Sequence, residues 1–255
     1  MELDVFGLSD VGLVRQINED YYIINQSHGL FIVADGMGGH KAGDVASKLA
    51  AISVEEFVLS VLDGDDITWP YDYDDTKSYL SNVLQVGVKL GNKRILSIIK
   101  SDPSLERMGT TVVALLADMN NNRAHIANVG DSRLYLIRDS EIRQISDDHS
   151  FTNEQIKSGK MNREEARISP YKNIITRAIG IYEELQVDIF ETDIKQDDLF
   201  IMATDGLTNM LTDSEIMDIS LNNSDDLAKL SEQLLILAKK RGGDDNITSV
   251  IIKPR

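Results

Sequence analysis

Cysteine is absent from the 255 residues of this chain, which excludes disulfides, thiolate metal sites and a cysteine nucleophile and fits a reducing compartment. Long apolar runs are also absent. The longest, TVVALLA and SVII, are far shorter than the stretch of about 20 residues that a membrane-spanning helix needs. The acidic start, MELDVFGLSD, lacks the apolar segment of a signal peptide. We therefore expect a soluble, cytoplasmic protein.

Basic residues are scarce relative to acidic ones. The chain has 26 Lys and Arg against 42 Asp and Glu, a formal net charge of −16. A field of this sign repels a nucleic-acid backbone and an anionic membrane, so we expect neither as a partner. Most of the acids are expected to serve solubility, which leaves open whether some of them cluster to hold cations.

The order of predicted elements favours two sheets covered by helices. Turn residues separate many short apolar runs, as in antiparallel strands. Apolar spacing predicts long helices over 45–62, with Asp44 as N-cap, and over 77–100, and a further helix capped by Gly242. We interpret the acidic and aromatic segment 63–75 as a solvated loop, with an interaction site as the alternative. The pattern predicts a β-sandwich flanked by helices.

The stretch LFIVADGMGGHKAGDVASKLA, residues 30–50, allows three interpretations. Asp-Gly after a strand is a strong hairpin signal, but a helical pattern follows where the partner strand should be. A phosphate-binding loop is disfavoured because the glycine spacing matches neither GxGxxG nor GxxxxGK[ST]. The third interpretation is that Asp35 is held out to a metal ion.

Three further aspartates flank apolar runs in the same way. Asp205 stands after the apolar run in FIMATDG and before its glycine, Asp131 follows HIANVG, and Asp245 precedes the last strand. Gathered at one edge of a sandwich, these carboxylates would repel one another unless cations were present. Oxygen ligands without cysteine select Mg²⁺ or Mn²⁺. Two such ions about 3.5–4 Å apart can lower the pKa of a bridging water toward ~7 and direct it at phosphorus.

A phosphate substrate also needs a fixed cation on its free oxygens. The segment DVGLVRQINEDYY supplies Arg15, followed by Glu19 and Asp20. The fork of an arginine matches two phosphate oxygens. The alternative is that Arg15 forms an ordinary surface ion pair.

Eight motifs spread over the whole chain resemble those of one family. They are GLVRQINED, VADGMGGH, GTTVVALL, NVGDSRLYLIR, ISDDHS, ITRAIG, FIMATDGL and DDNITSVII. Their order and spacing are similar to those of the metal-dependent serine/threonine protein phosphatases, the PPM or 2C-type family, in its bacterial single-domain branch. The resemblance implies an α+β fold, a four-layer α-β-β-α sandwich of two antiparallel sheets flanked by helix pairs. It also implies one catalytic domain over 1–255, with a flap at 146–180 where substrate choice is thought to be tuned.

The same resemblance implies a metal set. Asp35 would bridge two Mn²⁺ or Mg²⁺ ions, and the Gly36 carbonyl would bind one of them. Asp205 and Asp245 would hold the other ion. Asp131, together with Asp205, matches the position that holds a third, weaker metal in bacterial members.

Roles around the metals are implied as well. Glu19 and Asp20 would bind water molecules attached to the metals, and Arg15 would hold the phosphate. Some members place a histidine directly after the Asp-Gly pair as the general acid for the leaving oxygen. Here Met37 stands there and His40 is the nearby histidine, so either His40 or a water could donate that proton. His28, His125 and His149 are interpreted as structural.

The implied activity is hydrolysis of phosphoserine and phosphothreonine in proteins by a metal-bridged hydroxide, reversing a bacterial Ser/Thr kinase. The expected partners are phosphorylated proteins and that kinase system, and a monomer is expected. One alternative is a phosphatase dedicated to a single stress-signalling partner, such as a phosphorylated anti-sigma-factor antagonist. The other is a metal-gated module that binds phosphoproteins without cleaving them.

Overall fold

Two antiparallel sheets pack face to face in this computed structural model, which describes residues 2–38, 41–64 and 68–255. The first sheet has the strand order β1-β11-β10-β7-β8 and the second the order β2-β3-β5-β6-β9, with β4 paired to the end of β3. The strands are β1 (Leu3–Asp10), β2 (Asp20–Asn25), β3 (Leu30–Met37), β4 (Gly109–Thr110), β5 (Val112–Asp118), β6 (Arg123–Val129), β7 (Arg133–Arg138), β8 (Glu141–Gln144), β9 (Asp188–Asp193), β10 (Leu199–Ala203) and β11 (Ile247–Pro254).

Helix pairs cover the outer face of each sheet. Helices α1 (Lys41–Leu62) and α2 (Tyr79–Ser101) lie on the second sheet, and α6 (Asp213–Asn223) and α7 (Leu227–Lys240) lie on the first. Shorter helices are α3 (Phe151–Lys157), α4 (Arg163–Ile168), α5 (Asp205–Thr208) and the 3₁₀ turn Pro103–Leu105. This is the predicted α-β-β-α sandwich. No helix in the described ranges is both long and apolar enough to cross a bilayer.

The central strands are buried on both faces, which explains their continuous apolar runs. In β3, Phe31 and Val33 point into the core between the sheets. The alternate residues Leu30, Ile32 and Ala34 pack against the helix pair α1 and α2. Because both faces need apolar side chains, this segment shows no polar alternation in the sequence.

The predicted start of α1 was wrong. The helix begins at Lys41 rather than at residue 45, so Asp44 lies in its first turn and is not the N-cap. Acidic residues are favourable at both places, because the N-terminal end of the helix dipole is positive. Gly43 lies inside the helix, and a glycine is needed there because a Cβ would stand 2.3 Å from Glu19 Oε1.

The acidic and aromatic segment 63–75 is partly packed rather than fully solvated. Residues 65–67 lie outside the described part of the chain. Trp69 makes edge-to-face contacts with Phe57, Tyr73 and Tyr79. Its aromatic side chains therefore hold the connection between α1 and α2 against those helices.

Candidate metal centre

Five aspartates meet at one end of the sandwich, although they are far apart in the chain. Asp20 opens β2 and pairs in register with Asp35 near the end of β3. Asp131 stands two residues beyond β6, and Asp205 follows β10 as the first residue of α5. Asp245 stands two residues before β11. Antiparallel pairing brings these strand starts and strand ends to the same edge.

These carboxylates are poorly solvated and face one another. Burial, followed by the charges of neighbouring aspartates, raises the pKa of Asp35 well above its usual range. Burial and the charge of Asp205 do the same to the pKa of Asp131. Burial raises the pKa of Asp20 to about 7 and that of Asp205 to about 6, with Asp245 adding repulsion to both. The cluster is electrostatically costly as it stands, and positive charge would relieve that cost.

Asp20 links the two sheets beneath the cluster. Its Oδ2 accepts hydrogen bonds from the hydroxyls of Thr204 at 2.9 Å and Thr248 at 2.6 Å, which belong to the opposite sheet. Its other oxygen, Oδ1, is buried and has no hydrogen-bond partner among the described residues. The threonines fix the carboxylate while leaving that oxygen available.

Glu19 is held by its backbone, which leaves its side chain to face the cluster. Its N–H donates to Asn246 Oδ1 at 2.8 Å, and its carbonyl accepts from Gly36 N–H at 3.1 Å and from Ser47 Oγ at 2.6 Å. Burial raises the pKa of its carboxyl. Glu19 Oε1 and Asp131 Oδ1 are also buried without a hydrogen-bond partner in the described part of the chain.

Arg15 stands at the mouth of the cluster. Its Nη2 donates to Asp245 Oδ2 at 2.8 Å, and its side chain is 47% exposed. The guanidinium therefore combines a fixed carboxylate partner with access to solvent. This is the geometry of a cation that can receive an anionic ligand from outside.

The importance of Asn246 was missed at the sequence level. Its side chain accepts from Glu19 N–H and donates to the carbonyls of Val11 and Ile17, both at 3.0 Å. It thereby clamps the loop that carries Arg15 onto the start of β11. Its position directly after Asp245 in DDNITSV was the available signal.

The glycines after Asp35 and Asp205 are required by close backbone approach. A Cβ on Gly36 would lie 2.1 Å from the Gly43 carbonyl oxygen, and one on Gly206 would lie 2.0 Å from the Asn246 carbonyl oxygen. Each Asp-Gly pair thus marks a place where a second chain segment passes over the strand end.

The donor set fits divalent cations. It consists of carboxylate oxygens, and three buried ones, on Glu19, Asp20 and Asp131, lack hydrogen-bond partners among the described residues. Within the described ranges, no three His, Asp or Glu side chains stand close enough together to hold a metal ion as they are. Direct contacts occupy some of the oxygens instead, since Arg15 binds Asp245 and Asn209 donates to Asp205 Oδ2 at 3.0 Å. Cation binding would therefore have to replace these contacts.

Residues of the predicted flap line a cavity together with Asp131 and Asp205. The base of the flap is fixed by buried His149, whose Nδ1 accepts from Gly130 N–H at 2.9 Å and whose Nε2 lies 3.2 Å from Asp188 Oδ2. His149 and His125 are both buried, and their interpretation as structural residues stays a prediction. His40 lies outside the described residues.

Comparison with known proteins decides the family. Residues 9–247 match the family described as protein phosphatase 2C. The chain belongs to this family. It is 34% identical over 252 residues to the serine/threonine phosphatase stp of Listeria welshimeri, and the aligned region covers 96% of this chain and 93% of that protein.

Solved structures agree with the sequence match. A crystal structure of the Mycobacterium tuberculosis serine/threonine phosphatase PstP/Ppp superposes with a TM-score of 0.86, at 32% identity and over 99% of both chains. The catalytic domain of PstP in complex with two manganese ions superposes with a TM-score of 0.82, at 32% identity, over 98% of this chain and 97% of that chain. The predicted family, fold class and enzyme class, a metal-dependent protein-serine/threonine phosphatase, are confirmed.

Proposed function

We propose that the aspartate cluster of this 2C-type phosphatase holds two Mn²⁺ or Mg²⁺ ions, with Asp35 shared between them. The Gly36 carbonyl, Asp205 and Asp245 complete the donor set, and Asp131 with Asp205 offers a third, weaker position. The convergence of five carboxylates, with buried oxygens that lack hydrogen-bond partners, carries this proposal. When bound, such ions supply a water of lowered pKa as nucleophile and neutralise charge on the phosphoryl oxygens.

The residues around the cluster have separate tasks. Arg15 binds the free oxygens of the phosphoryl group through its fork and stabilises the charge that they gain during transfer. Glu19 and Asp20 orient water, and the threonines bonded to Asp20 keep it in place. We also propose His40 as a candidate proton donor to the leaving oxygen, with solvent as the alternative.

The surroundings of the site favour a polypeptide substrate over a small phosphomonoester. Leu13 and Val14, which directly precede Arg15, are 62% and 64% exposed. Exposed apolar side chains grouped near a site mark a surface that a protein covers. We infer that phosphorylated proteins are the substrates, that a cognate Ser/Thr kinase supplies them, and that the enzyme works as a cytoplasmic monomer.

The decisive experiment measures phosphate release from a phosphothreonine peptide and from p-nitrophenyl phosphate after Mn²⁺ is added. Asp35→Asn and Asp205→Asn should each reduce kcat at least about a hundredfold, on the scale seen when a group that stabilises the transition state is removed. The matched control is Asp244→Asn, which changes an exposed neighbour of Asp245 and should leave turnover unchanged. Near-normal turnover in both cluster variants, with Mn²⁺ still required, would refute the assignment.

Arg15→Ala separates substrate binding from catalysis. Because Arg15 is placed to hold the phosphate, its loss should raise KM more than it lowers kcat. A defect confined to kcat would show instead that Arg15 acts mainly in the transition state.

A further inference from the structure

A cavity of about 400 Å³ adjoins the aspartate cluster. It lies between the flap segment that carries α3 and α4 and the beginning of α6. Asp131 and Asp205 line it on the side of the cluster, and Arg163, Arg167 and Lys172 line it on the side of the flap. A substrate bound at the cluster would therefore have its neighbouring residues next to these three cations.

The flap differs in charge from the rest of the molecule. Within the flap, residues 151–177 contain six Lys or Arg and three Glu, a formal charge of +3. The whole flap, 146–180, also contains Asp147 and Asp148 and carries +1, against −17 for the rest of the chain. A basic segment placed against an acidic site has an electrostatic consequence. It attracts anionic groups to a part of the surface from which the molecule as a whole would repel them.

Some charges around the cavity are already neutralised. Asp148 receives the fork of Arg133, with Nε at 3.0 Å and Nη2 at 2.7 Å. Asp213 accepts from the Tyr135 hydroxyl at 3.1 Å and lies 3.9 Å from Arg163. Asp148 therefore presents little free negative charge to a ligand, whereas Asp213 is only weakly paired.

The flap cations are more available. Arg163 is 84% exposed in its side chain, and within the described ranges the side chain of Arg167 makes one hydrogen bond, a long one of 3.4 Å to the carbonyl of Met210. Lys172 is half-buried, with no acidic partner within 4.0 Å among the described residues. One acid on the same wall, Glu164, is exposed.

We propose that this cavity selects phosphorylated polypeptides that carry a second anionic group within about three residues of the phosphorylated one. Extended chain advances roughly 3.3–3.6 Å per residue, so side chains two or three positions away reach the cavity wall. The anion is an Asp or Glu carboxylate or a second phosphate, both of which an arginine fork binds. The inference rests on the proposed function, since it places the reacting phosphate at the aspartate cluster.

The test uses a set of phosphothreonine peptides of equal length in Mn²⁺ at low salt. A single Glu replaces Ala at each of the four positions on either side of the phosphothreonine, and parallel sets carry Lys or a second phosphothreonine. At one or more positions within three residues, Glu should raise kcat/KM about fivefold over Ala, as expected for a few partly exposed ion pairs. The gain should shrink as salt is added, because exposed charges are screened.

Variants connect the preference to the flap. In the triple variant Arg163→Gln, Arg167→Gln and Lys172→Gln, the ratio of kcat/KM for the Glu peptide to that for the Ala peptide should fall to about one. The ratio is internal to each protein, so a change in the amount of folded enzyme cancels. Lys160→Gln is the matched control, because Lys160 is exposed on the same segment and does not line the cavity. It should retain the full ratio.

Each outcome has a separate meaning. A larger gain from the second phosphothreonine than from Glu identifies phosphate as the preferred anion, and equal gains identify negative charge alone. Equal kcat/KM for the Glu, Ala and Lys peptides, or a preference for Lys, would overturn this inference while leaving the phosphatase assignment intact. Failure to hydrolyse any phosphopeptide in Mn²⁺ would overturn the proposed function itself.

Discussion

Asn246 joins three parts of the site through one buried side chain. It receives the Glu19 N–H and donates to two carbonyls in the loop that carries Arg15. We predict that Asn246→Ala lowers the free energy of unfolding by about 2–4 kcal/mol, because buried partners lose their hydrogen bonds. Urea unfolding followed by circular dichroism measures this loss.

The same variant should also raise KM for a phosphopeptide, since the loop bearing Arg15 is no longer clamped. Asn222→Ala, at an exposed helical site, is the control and should change stability by less than about 0.5 kcal/mol. Equal stability of the two variants would show that Asn246 is not a clamp.

Asp205 allows a test of repulsion within the cluster. Burial and the charge of Asp245 disfavour its ionised form. In EDTA at pH 8, Asp205→Asn should therefore melt higher than the parent protein by a few degrees, corresponding to about 1–3 kcal/mol. Differential scanning calorimetry provides the measurement.

With Mn²⁺ the order should reverse, because the parent gains stability from the ion and the variant has lost a ligand. Asp244→Asn should follow the parent in both conditions. A lower melting temperature for Asp205→Asn in EDTA would mean that its carboxylate stabilises the fold rather than straining it.

Single residues differed in how far the sequence could predict them. Asp35 and Asp205 were predictable because each closely follows an apolar run and directly precedes a glycine. Thr204 and Thr248 were not, because their partner Asp20 lies 184 and 228 positions away in the chain. Their hydrogen bonds exist only once both sheets are assembled.

At the scale of elements, the beginning of α2 is fastened to the second sheet by a polar cluster. The hydroxyls of Ser78 and Ser81 donate to Glu191 Oε1 at 2.6 and 2.7 Å, and both lie 3.1 Å from His125 Nδ1. Arg123 Nε contacts the other oxygen of Glu191 at 3.1 Å. His125 and Glu191 are cross-strand neighbours in β6 and β9.

This cluster predicts a pH-dependent contribution to stability. The serine hydroxyls, together with Arg123 and His125, lower the pKa of Glu191 from 4.5 to about 2. A carboxyl with a depressed pKa stabilises the folded state above its unfolded pKa, and that stabilisation is lost as pH falls through the folded value. Glu191→Gln should therefore cost about 1–2 kcal/mol at pH 7, and the difference should shrink between about pH 4.5 and 2.

Urea unfolding at several pH values measures this difference. Glu183→Gln is the control, since Glu183 is 75% exposed and pairs with Lys100 at the surface. A cost for Glu191→Gln that stays constant down to pH 2 would contradict the assigned role of its charge.

Elements were predictable where one physical cause dominates. The strand β3 was recognisable because both of its faces are buried. The start of α1 could not be predicted in the same way. A glycine is needed at position 43 because Glu19 packs closely against it, and this contact exists only in the folded structure. The segment 63–75 was predicted to be solvated because it is rich in acidic residues. The packing of Trp69 on the helices could not be recognised from that composition.

At the scale of the whole molecule, both sheets contribute carboxylates to the cluster, so the fold and the site depend on each other. Asp20 and Asp35 come from one sheet, whereas Asp205 and Asp245 flank strands of the other. Ions held between these carboxylates would stabilise the assembled sandwich, because the unfolded chain scatters the ligands. At a free Mn²⁺ concentration of a hundred times Kd, the gain is about 2.7 kcal/mol.

For a protein of this size, that gain should raise Tm by roughly 5–10 °C relative to EDTA. Sodium chloride at matched ionic strength controls for general screening of the acidic surface. A shift no larger in Mn²⁺ than in sodium chloride would mean that the carboxylates do not form a specific site.

The most direct test is anomalous diffraction from a crystal of this protein soaked in Mn²⁺. We predict two manganese peaks that share the Asp35 carboxylate, with Asp205 and Asp245 bound to one of them. Peaks confined to scattered surface acids, with the five aspartates left as they are without the metal, would contradict the assignment of this cluster as the phosphatase centre.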